Sequence, residues 1–436
     1  MIEKVLAADS STHPSQERKL KVAYIMSRFP KLTETFILYE MLAMEEQGVQ
    51  VEIYPLLRER AQIMHPEARA FVERAHFQPF ISLPILRAHL HFWRRTPRAY
   101  LSTLWALLRG TWGSFRFFAG GLGIFPKVVY FAYLMATEGV THVHAHFASH
   151  PAAAAFIIRR LVGIPYSFTA HGSDIHRDRH MLREKVSEAA FVVPISSFNR
   201  QVILEACGGA AAEKLVSNKL IVIHCGVDTR LFHPRPVHPL DNGSKLPAVP
   251  FSLLCIGTLH EVKGQTHLIE ACRLLRERGV ELTCHFVGDG PDKTALVEQA
   301  TAAGLAPFVH FYGQQTRDEV ARLLQATQVV VAPSVPSRDG RREGIPVVLM
   351  EAMASAVPVV SSRLSGIPEL VEDGQDGLLT PPGDTAALAD VLEQLYRDPG
   401  LRYRLGQAGR EKVKREFDLY RNAAALARHF GREISS

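Results

Sequence analysis

Short apolar runs alternate with helical patterns twice over in this chain, once on each side of a proline-rich break. This ordering constrains the fold more than any other feature, because strand–helix–strand repeats close as parallel sheets with helices on their faces. In the first half the candidate strands are 21–26, 49–56, 142–145, 166–169, 191–195 and 220–223. In the second half they are 251–256, 282–287, 309–312, 329–332, 357–361 and 378–380. Between them, 232–250 carries five prolines and a DNGS cluster, and reads as a linker. The expected organisation is a flexible tail over 1–18, a Rossmann-like domain over 19–232 and a linker over 233–250. A second Rossmann-like domain covers 251–417, and a helix over 418–436 packs back on the first domain. The fold class is α/β, two Rossmann-like domains facing across a cleft. Ligands in such sheets bind beyond the carboxyl ends of the strands.

Between Arg342 and Arg363 the only charges are Glu343 and Glu351. Pro346 stands where a helix takes its first residue, since the missing N–H costs nothing there. Residues 347–354 are apolar apart from Glu351, so their helix is expected to be buried. A carboxylate on such a helix needs a hydrogen-bonding partner. An internal ion pair, a helix cap, or a polyol ligand donating hydroxyls would each serve. Glu343 precedes the helix in a glycine-flanked loop, and helix N-termini attract anions. A phosphate there beside a carboxylate suits a sugar-phosphate.

Three other stretches carry candidate chemistry. GTLHEVKGQTH (257–267) follows the first strand of the second half. Its Gly257 permits a tight turn, and Lys263 with Gly264 opens the next helix. A lysine placed so is either a solvated helix-start residue or a point charge for a diphosphate. VGDGP (287–291) lacks the third glycine of a dinucleotide fingerprint and serves a backbone turn rather than an oxidoreductase. FTAHGSDIHRDRH (168–180) places His171 at a strand end, either structural or projecting into the cleft. His142, His144 and His146 alternate along a strand and share one face. No carboxylate or cysteine in the sequence nearby completes a zinc site, so no metal is expected.

Glu343 and Glu351, in EGIPVVLMEAMA, resemble the Glu-x7-Glu signature of retaining glycosyltransferases of family 4, and SGIPELVEDGQDGLLTPPGD (365–384) extends the likeness. The 257–267 segment resembles the family's phosphate loop, with Lys263 at the lysine position and Thr258 where the family usually has arginine. Arg341 or Arg342 could substitute. FTAHGSDIHRDRH resembles the segment whose histidine contacts the transferred sugar. SRFPKLTETF (27–36) resembles the first loop of polysaccharide-synthesising members, and HAHFASHPAAAA and VIHCGVDTRLFHP are also family-like. The match runs from about Lys21 to Phe417. It implies a retaining GT-B enzyme that moves a sugar from a nucleoside diphosphate to an acceptor hydroxyl on a lipid-linked polysaccharide precursor, as in exopolysaccharide or colanic-acid synthesis. It implies catalytic roles for Glu343 and His171, and donor binding by Lys263, Gly257, Thr258, Gly264, Gly344, Ile345 and Glu351. Arg28, Thr33 and Glu34 fall on the acceptor side. No metal and no cofactor are implied. A non-catalytic nucleotide-sugar-binding subunit and a nucleotide-sugar epimerase share the architecture, and Thr258 favours the former.

Composition adds limits. The 436 residues, 47% hydrophobic and 22% charged, suffice for two cores. A net charge of +6 permits an anionic partner. Five cysteines without a C-x-x-C pair suggest reduced thiols and a cytoplasmic site. Residues 1–18 show no secretory signal, and no run of 18 uncharged apolar residues exists. Residues 74–137 stand apart, with no acid, eight Lys or Arg and all three tryptophans. Interleaved Arg87, Arg94, Arg95, Arg98, Arg109, Arg116, Lys127 and aromatics suit docking on an anionic membrane at the inner face of the plasma membrane. The alternative is that the aromatics form core and the arginines are solvated. No nucleic-acid recognition motif is present.

Overall fold

The computed structural model describes residues 20–31, 34–59, 66–176, 178–234, 251–338 and 340–435. The expected tail, Thr33 and the linker from 235 to 250 lie outside them. The first sheet contains β1 (Lys21–Phe29), β2 (Gln50–Arg58), β3 (His142–His146), β4 (Tyr166–Ala170) and β5 (Phe191–Pro194), in the order β2-β1-β3-β4-β5. The second contains β6 (Phe251–Ile256), β7 (Leu282–Val287), β8 (Val309–Phe311), β9 (Val329–Ala332), β10 (Val359–Ser362) and β11 (Leu378–Thr380), in the order β11-β10-β9-β6-β7-β8. All pairings are parallel. Strands buried on both faces read as continuous apolar runs, as β6 and β9 do. Strand addition reverses direction between β1 and β3 and again between β6 and β9, so each sheet has a switch point where a crevice opens.

The buried strand β3 is the exception to apolarity. Its His142, His144 and His146 are inaccessible. The hydroxyls of β4 meet both nitrogens of His144 and one of His142, whose Nδ1 has no partner among the described residues. Ser167 Oγ lies 2.7 Å from His142 Nε2 and 2.8 Å from His144 Nδ1, and Thr169 Oγ1 lies 3.0 Å from His144 Nε2. Burial holds His142 down to about 3 and His144 well below the usual histidine value, so both rings are neutral.

Several expectations shift. Residues 220–223 form no strand; Leu220 makes one isolated bridge to Val192, and the chain then leaves the sheet edge, with His224 Nδ1 2.8 Å from the Ile195 carbonyl. Pro346 is the N-cap of helix Val347–Ala354 rather than its first residue. That helix buries six apolar side chains, each large one contributing ~1.5–3 kcal/mol. The 74–137 segment forms helices Ala68–Arg74 (in part), Leu83–Arg95, Pro97–Thr111 and Phe115–Thr137. Helix Phe115–Thr137 is long and apolar enough to cross a membrane by length and composition, but half of its most apolar window is buried inside the fold. Lys127 on this helix is a correction to the membrane reading: it is buried, donates to the Leu56 carbonyl at 2.7 Å and sits over the Phe80 ring. Phe117 is likewise core. Trp93, Trp105, Trp112 and Phe115 are exposed, the last two at 76% and 87%, beside exposed Arg87, Arg94, Arg95, Arg98, Arg109 and Arg116.

The chain passes between the domains twice, side by side. Val227 and Phe232 are buried in the second core, and Val227 bridges Asp418 on the way back. Helix Leu419–Ser435 then covers the first sheet, burying Leu419, Ala423, Leu426 and Phe430 against residues of β1, β2 and β5. Phe430 lies 5.0 Å from the His142 ring, 5.3 Å from His144 and 5.8 Å from Phe191.

Candidate active site

The segments that follow β1, β3, β4 and β5 face those following β6, β7 and β9 across a cleft of ≈ 590 Å³. On the second-domain side, Gly257 and Thr258 follow β6, and a short turn Glu261–Lys263 leads through Gly264 into helix Gln265–Glu277. Gly264 has φ +68°, and a Cβ there would lie 1.9 Å from the Pro333 carbonyl oxygen, so only glycine fits. That turn delivers Lys263 to the cleft. Its Nζ lies 2.6 Å from Glu343 Oε2, with side chains 24% and 18% exposed. The sequence placed these two groups on different parts of a ligand; the structure pairs them. Thr258 lines the same wall and its carbonyl accepts from Gln265 Nε2 at 3.0 Å. Arg341, Arg342 and the VGDGP turn at Val287–Asp289 also line it.

Glu351 lines the cleft from helix Val347–Ala354. Burial pushes its carboxyl up to about 7, partly offset by the Arg317 guanidinium. Among the described residues its carboxylate makes no hydrogen bond or close ion pair, and its helix has no side-chain cap. Arg317 itself is held over the Tyr39 and Phe232 rings.

On the first-domain side, His171 follows β4. Asp174 fixes its backbone by accepting from the N–H groups of Ala148 at 2.6 Å, His171 at 3.1 Å and Gly172 at 2.8 Å. Burial raises the Asp174 carboxyl and those N–H bonds oppose it. The ring of His171 is held between Phe36 and Phe147, at 4.6 and 4.8 Å. Burial, with His146 beside it, keeps its pKa well below the ordinary value. The two walls touch at this point: a Cβ on Gly344 would lie 2.6 Å from the His171 carbonyl oxygen, and Ile345 beside it is buried. A second tie lies nearby, where the Glu369 carboxylate accepts from Ser197 and Phe198 N–H, both at 2.8 Å, capping a first-domain helix from the second domain.

Glu34 lines the cleft and pairs with Lys31 at 2.5 Å. Arg28 does not reach it. It lines an adjoining hollow of ≈ 280 Å³ that shares Lys31, Glu34 and Phe147 with the cleft, and it lies 3.3 Å from Glu59. Sequence reasoning missed Cys225 and Glu40. Cys225 Sγ is 3.8 Å from His171 Nδ1. Glu40 supplies the carboxylate that the histidine strand lacked, its ligand atom lying within 4.8 Å of those of His144 and His146. Both His144 nitrogens already face hydroxyls, which fits hydrogen bonding better than a metal.

Two parallel-sheet Rossmann-like domains facing across such a cleft make the GT-B glycosyltransferase architecture. A glycosyltransferase from Rickettsia africae superposes with a TM-score of 0.70 at 16% identity, covering 96% of this chain and 100% of that one. Anabaena HepE, crystallised with UDP, gives 0.67 at 19% identity over 94% and 98%. Residues 241–412 match the family described as Glycosyl transferases group 1. Escherichia coli WcaL, which carries the name of a colanic acid biosynthesis glycosyltransferase, is 30% identical over 414 residues, 92% of this chain and 96% of its own length. The amylovoran biosynthesis glycosyltransferase AmsK of Erwinia amylovora is 34% identical over 267 residues, 59% of this chain and 62% of its own. The chain belongs to the glycosyl transferases group 1 family.

Proposed function

We propose that this protein transfers a hexosyl group, with retention of configuration, from a nucleoside-diphosphate sugar to a hydroxyl of a lipid-linked polysaccharide precursor. The observation that carries this is the convergence of Lys263, Glu343 and Glu351 from one wall and His171 from the other on a single interdomain cleft. Lys263 is the cation for the leaving diphosphate, where stabilising developing negative charge is the largest catalytic contribution. Glu351, whose carboxylate makes no hydrogen bond among the described residues, accepts the ribose hydroxyls. Glu343 sits between Lys263 and the sugar and orients it or stabilises an oxocarbenium-like transition state. His171 contacts the transferred sugar. No residue here is assigned as a general base; the leaving phosphate takes the acceptor proton. HepE was crystallised with UDP and with UDP-glucose, which makes UDP the first nucleotide to try.

The exposed arginines and tryptophans of helices Leu83–Arg95 and Pro97–Thr111 support docking on an anionic membrane surface at the inner face of the plasma membrane, beside the lipid-linked acceptor. The sugar-exchange test is a thermal-shift panel of nucleotide sugars, followed by NMR of the product's anomeric proton with a lipid-linked acceptor. A stabilising donor that yields product with the donor's anomeric configuration supports the reading. Inverted product removes retention, and turnover without an acceptor points to an epimerase.

A further inference from the structure

The histidine strand has a member that the hydroxyls of β4 do not meet. His146 Nδ1 lies 3.1 Å from His171 Nε2, and the two rings stack 5.3 Å apart. On its other side, His146 Nε2 lies 3.2 Å from Glu40 Oε1, off the line of a straight hydrogen bond. Glu40 comes from helix Thr35–Glu46, and the same oxygen accepts from the Tyr24 hydroxyl at 3.1 Å. The remaining nitrogen of His171, Nδ1, faces Cys225 Sγ, and both residues line the cleft. Tyr24, Glu40, His146, His171 and Cys225 thus form one connected row from the sheet to the cleft.

With His146 neutral, one direction of donors and acceptors along the row is favoured over the other. An ionised carboxylate accepts and cannot donate, and a neutral imidazole carries one N–H and one lone pair. Glu40 therefore draws the proton of His146 to Nε2. His146 Nδ1 is then bare and takes the N–H of His171 Nε2. That leaves His171 Nδ1 as a lone pair, met by the thiol of Cys225. The opposite direction would set the Nε2 lone pair of a fully buried ring against a carboxylate oxygen at 3.2 Å, which low local polarity makes costly. A thiol is a weak donor, so a sugar hydroxyl entering the cleft can displace it.

We propose that Glu40 and His146 are positioning residues that lock His171 in its Nε2–H tautomer and present Nδ1 to the cleft as an acceptor for a hydroxyl of the transferred sugar. The sugar ligand rests on the function proposed above; the tautomer does not. His171 then acts as an oriented neutral acceptor and not as an acid or base.

Long-range proton–nitrogen NMR of protein labelled with nitrogen-15 histidine reads the tautomer directly. The His171 signals are assigned by their loss in His171→Asn. The wild type is expected to show His171 protonated at Nε2. Glu40→Gln, whose amide no longer dictates the proton on His146, is expected to give a tautomer mixture or the Nδ1–H form. It should lower kcat by roughly 10-fold or more while the Kd for UDP changes less than about 2-fold. Glu40→Asp, which restores the charge, should recover part of kcat. A wild-type His171 protonated at Nδ1 overturns the proposal, and that spectrum needs no variant to fold. An unchanged His171 spectrum in folded Glu40→Gln overturns it as well. Absence of sugar transfer with every nucleotide sugar would instead overturn the proposed function and leave the tautomer result standing.

Discussion

Replacing Glu343 by glutamine is expected to tighten nucleoside-diphosphate binding while crippling turnover. The Lys263 ammonium lies 2.6 Å from the Glu343 carboxylate, both side chains largely shielded from solvent. A diphosphate that takes the same ammonium from its far side stands ~5 Å from that carboxylate, about twice the contact length. Like charges at ~5 Å repel by ~3 kcal/mol at an effective dielectric of ~20, and by about half that where water doubles it. Removing the charge should therefore lower the Kd for UDP by ~10- to 100-fold. In a Lys263→Ala background the ammonium that offsets the Glu343 charge is gone, so the same substitution should help at least as much. Turnover should nevertheless fall by ~10²-fold or more, because the lost carboxylate acts where the transition state develops charge. Isothermal calorimetry with UDP on the four proteins of this cycle, together with single-turnover rates, measures both effects. Unchanged or weaker UDP binding by Glu343→Gln would show that the diphosphate does not compete with Glu343 for Lys263. Near-normal turnover would remove Glu343 from the mechanism.

Lys263→Ala alone should weaken UDP far more than uridine, whereas Glu351→Gln should weaken both, since the ribose is common to them; calorimetry with the two ligands decides. Glu351 also predicts a pH signature. Its folded-state value of about 7 exceeds the usual 4.5, so the native state holds the proton more tightly and stability is lost as pH rises between those values. The loss is at most ~3 kcal/mol. Glu351→Gln should thus gain Tm relative to wild type from pH 5 to pH 8, and parallel Tm curves would contradict a carboxyl raised in the folded state. Arg94→Glu with Arg95→Glu should reduce co-sedimentation with anionic vesicles at low salt and leave the Kd for UDP unchanged. Wild-type protein that ignores such vesicles would exclude the membrane surface.

The alternation of apolar runs was enough to read two parallel α/β halves, because strands buried on both faces need no polar face and announce themselves as continuous Val, Ile and Leu. The run at 220–223 looked equally strand-like, but it lies outside β5 at the sheet edge, where a single bridge is all the pairing it makes. Lys263, Glu343, Glu351 and His171 were each legible from turn chemistry and motif. Their mutual geometry was not, since the Lys263–Glu343 contact joins two loops brought together by β6 and β9 lying side by side. Glu40 left no local signal at all. In a helix reading TFILYEMLAMEE an isolated acid looks like part of a solvated face, and only the packing of that helix against the first sheet turns it toward His146. Lys127 misled in the opposite sense, because composition counts a cation without showing that a backbone carbonyl is waiting for it in the interior.

Helix Leu419–Ser435 has a consequence for how the polypeptide matures on the ribosome. A chain is made from its N-terminus, and domains generally fold as they emerge. The first sheet cannot follow that order here. One of its faces is finished by Leu419, Ala423, Leu426 and Phe430, which are translated after the whole second domain. Until then Phe191, the rim of β1 and β2, and the neutral His142 and His144 of β3 lack their cover. The nascent first domain is therefore expected to stay incompletely covered until the second has been synthesised. Slower translation across the second half is then expected to lengthen the time for which that face lies open.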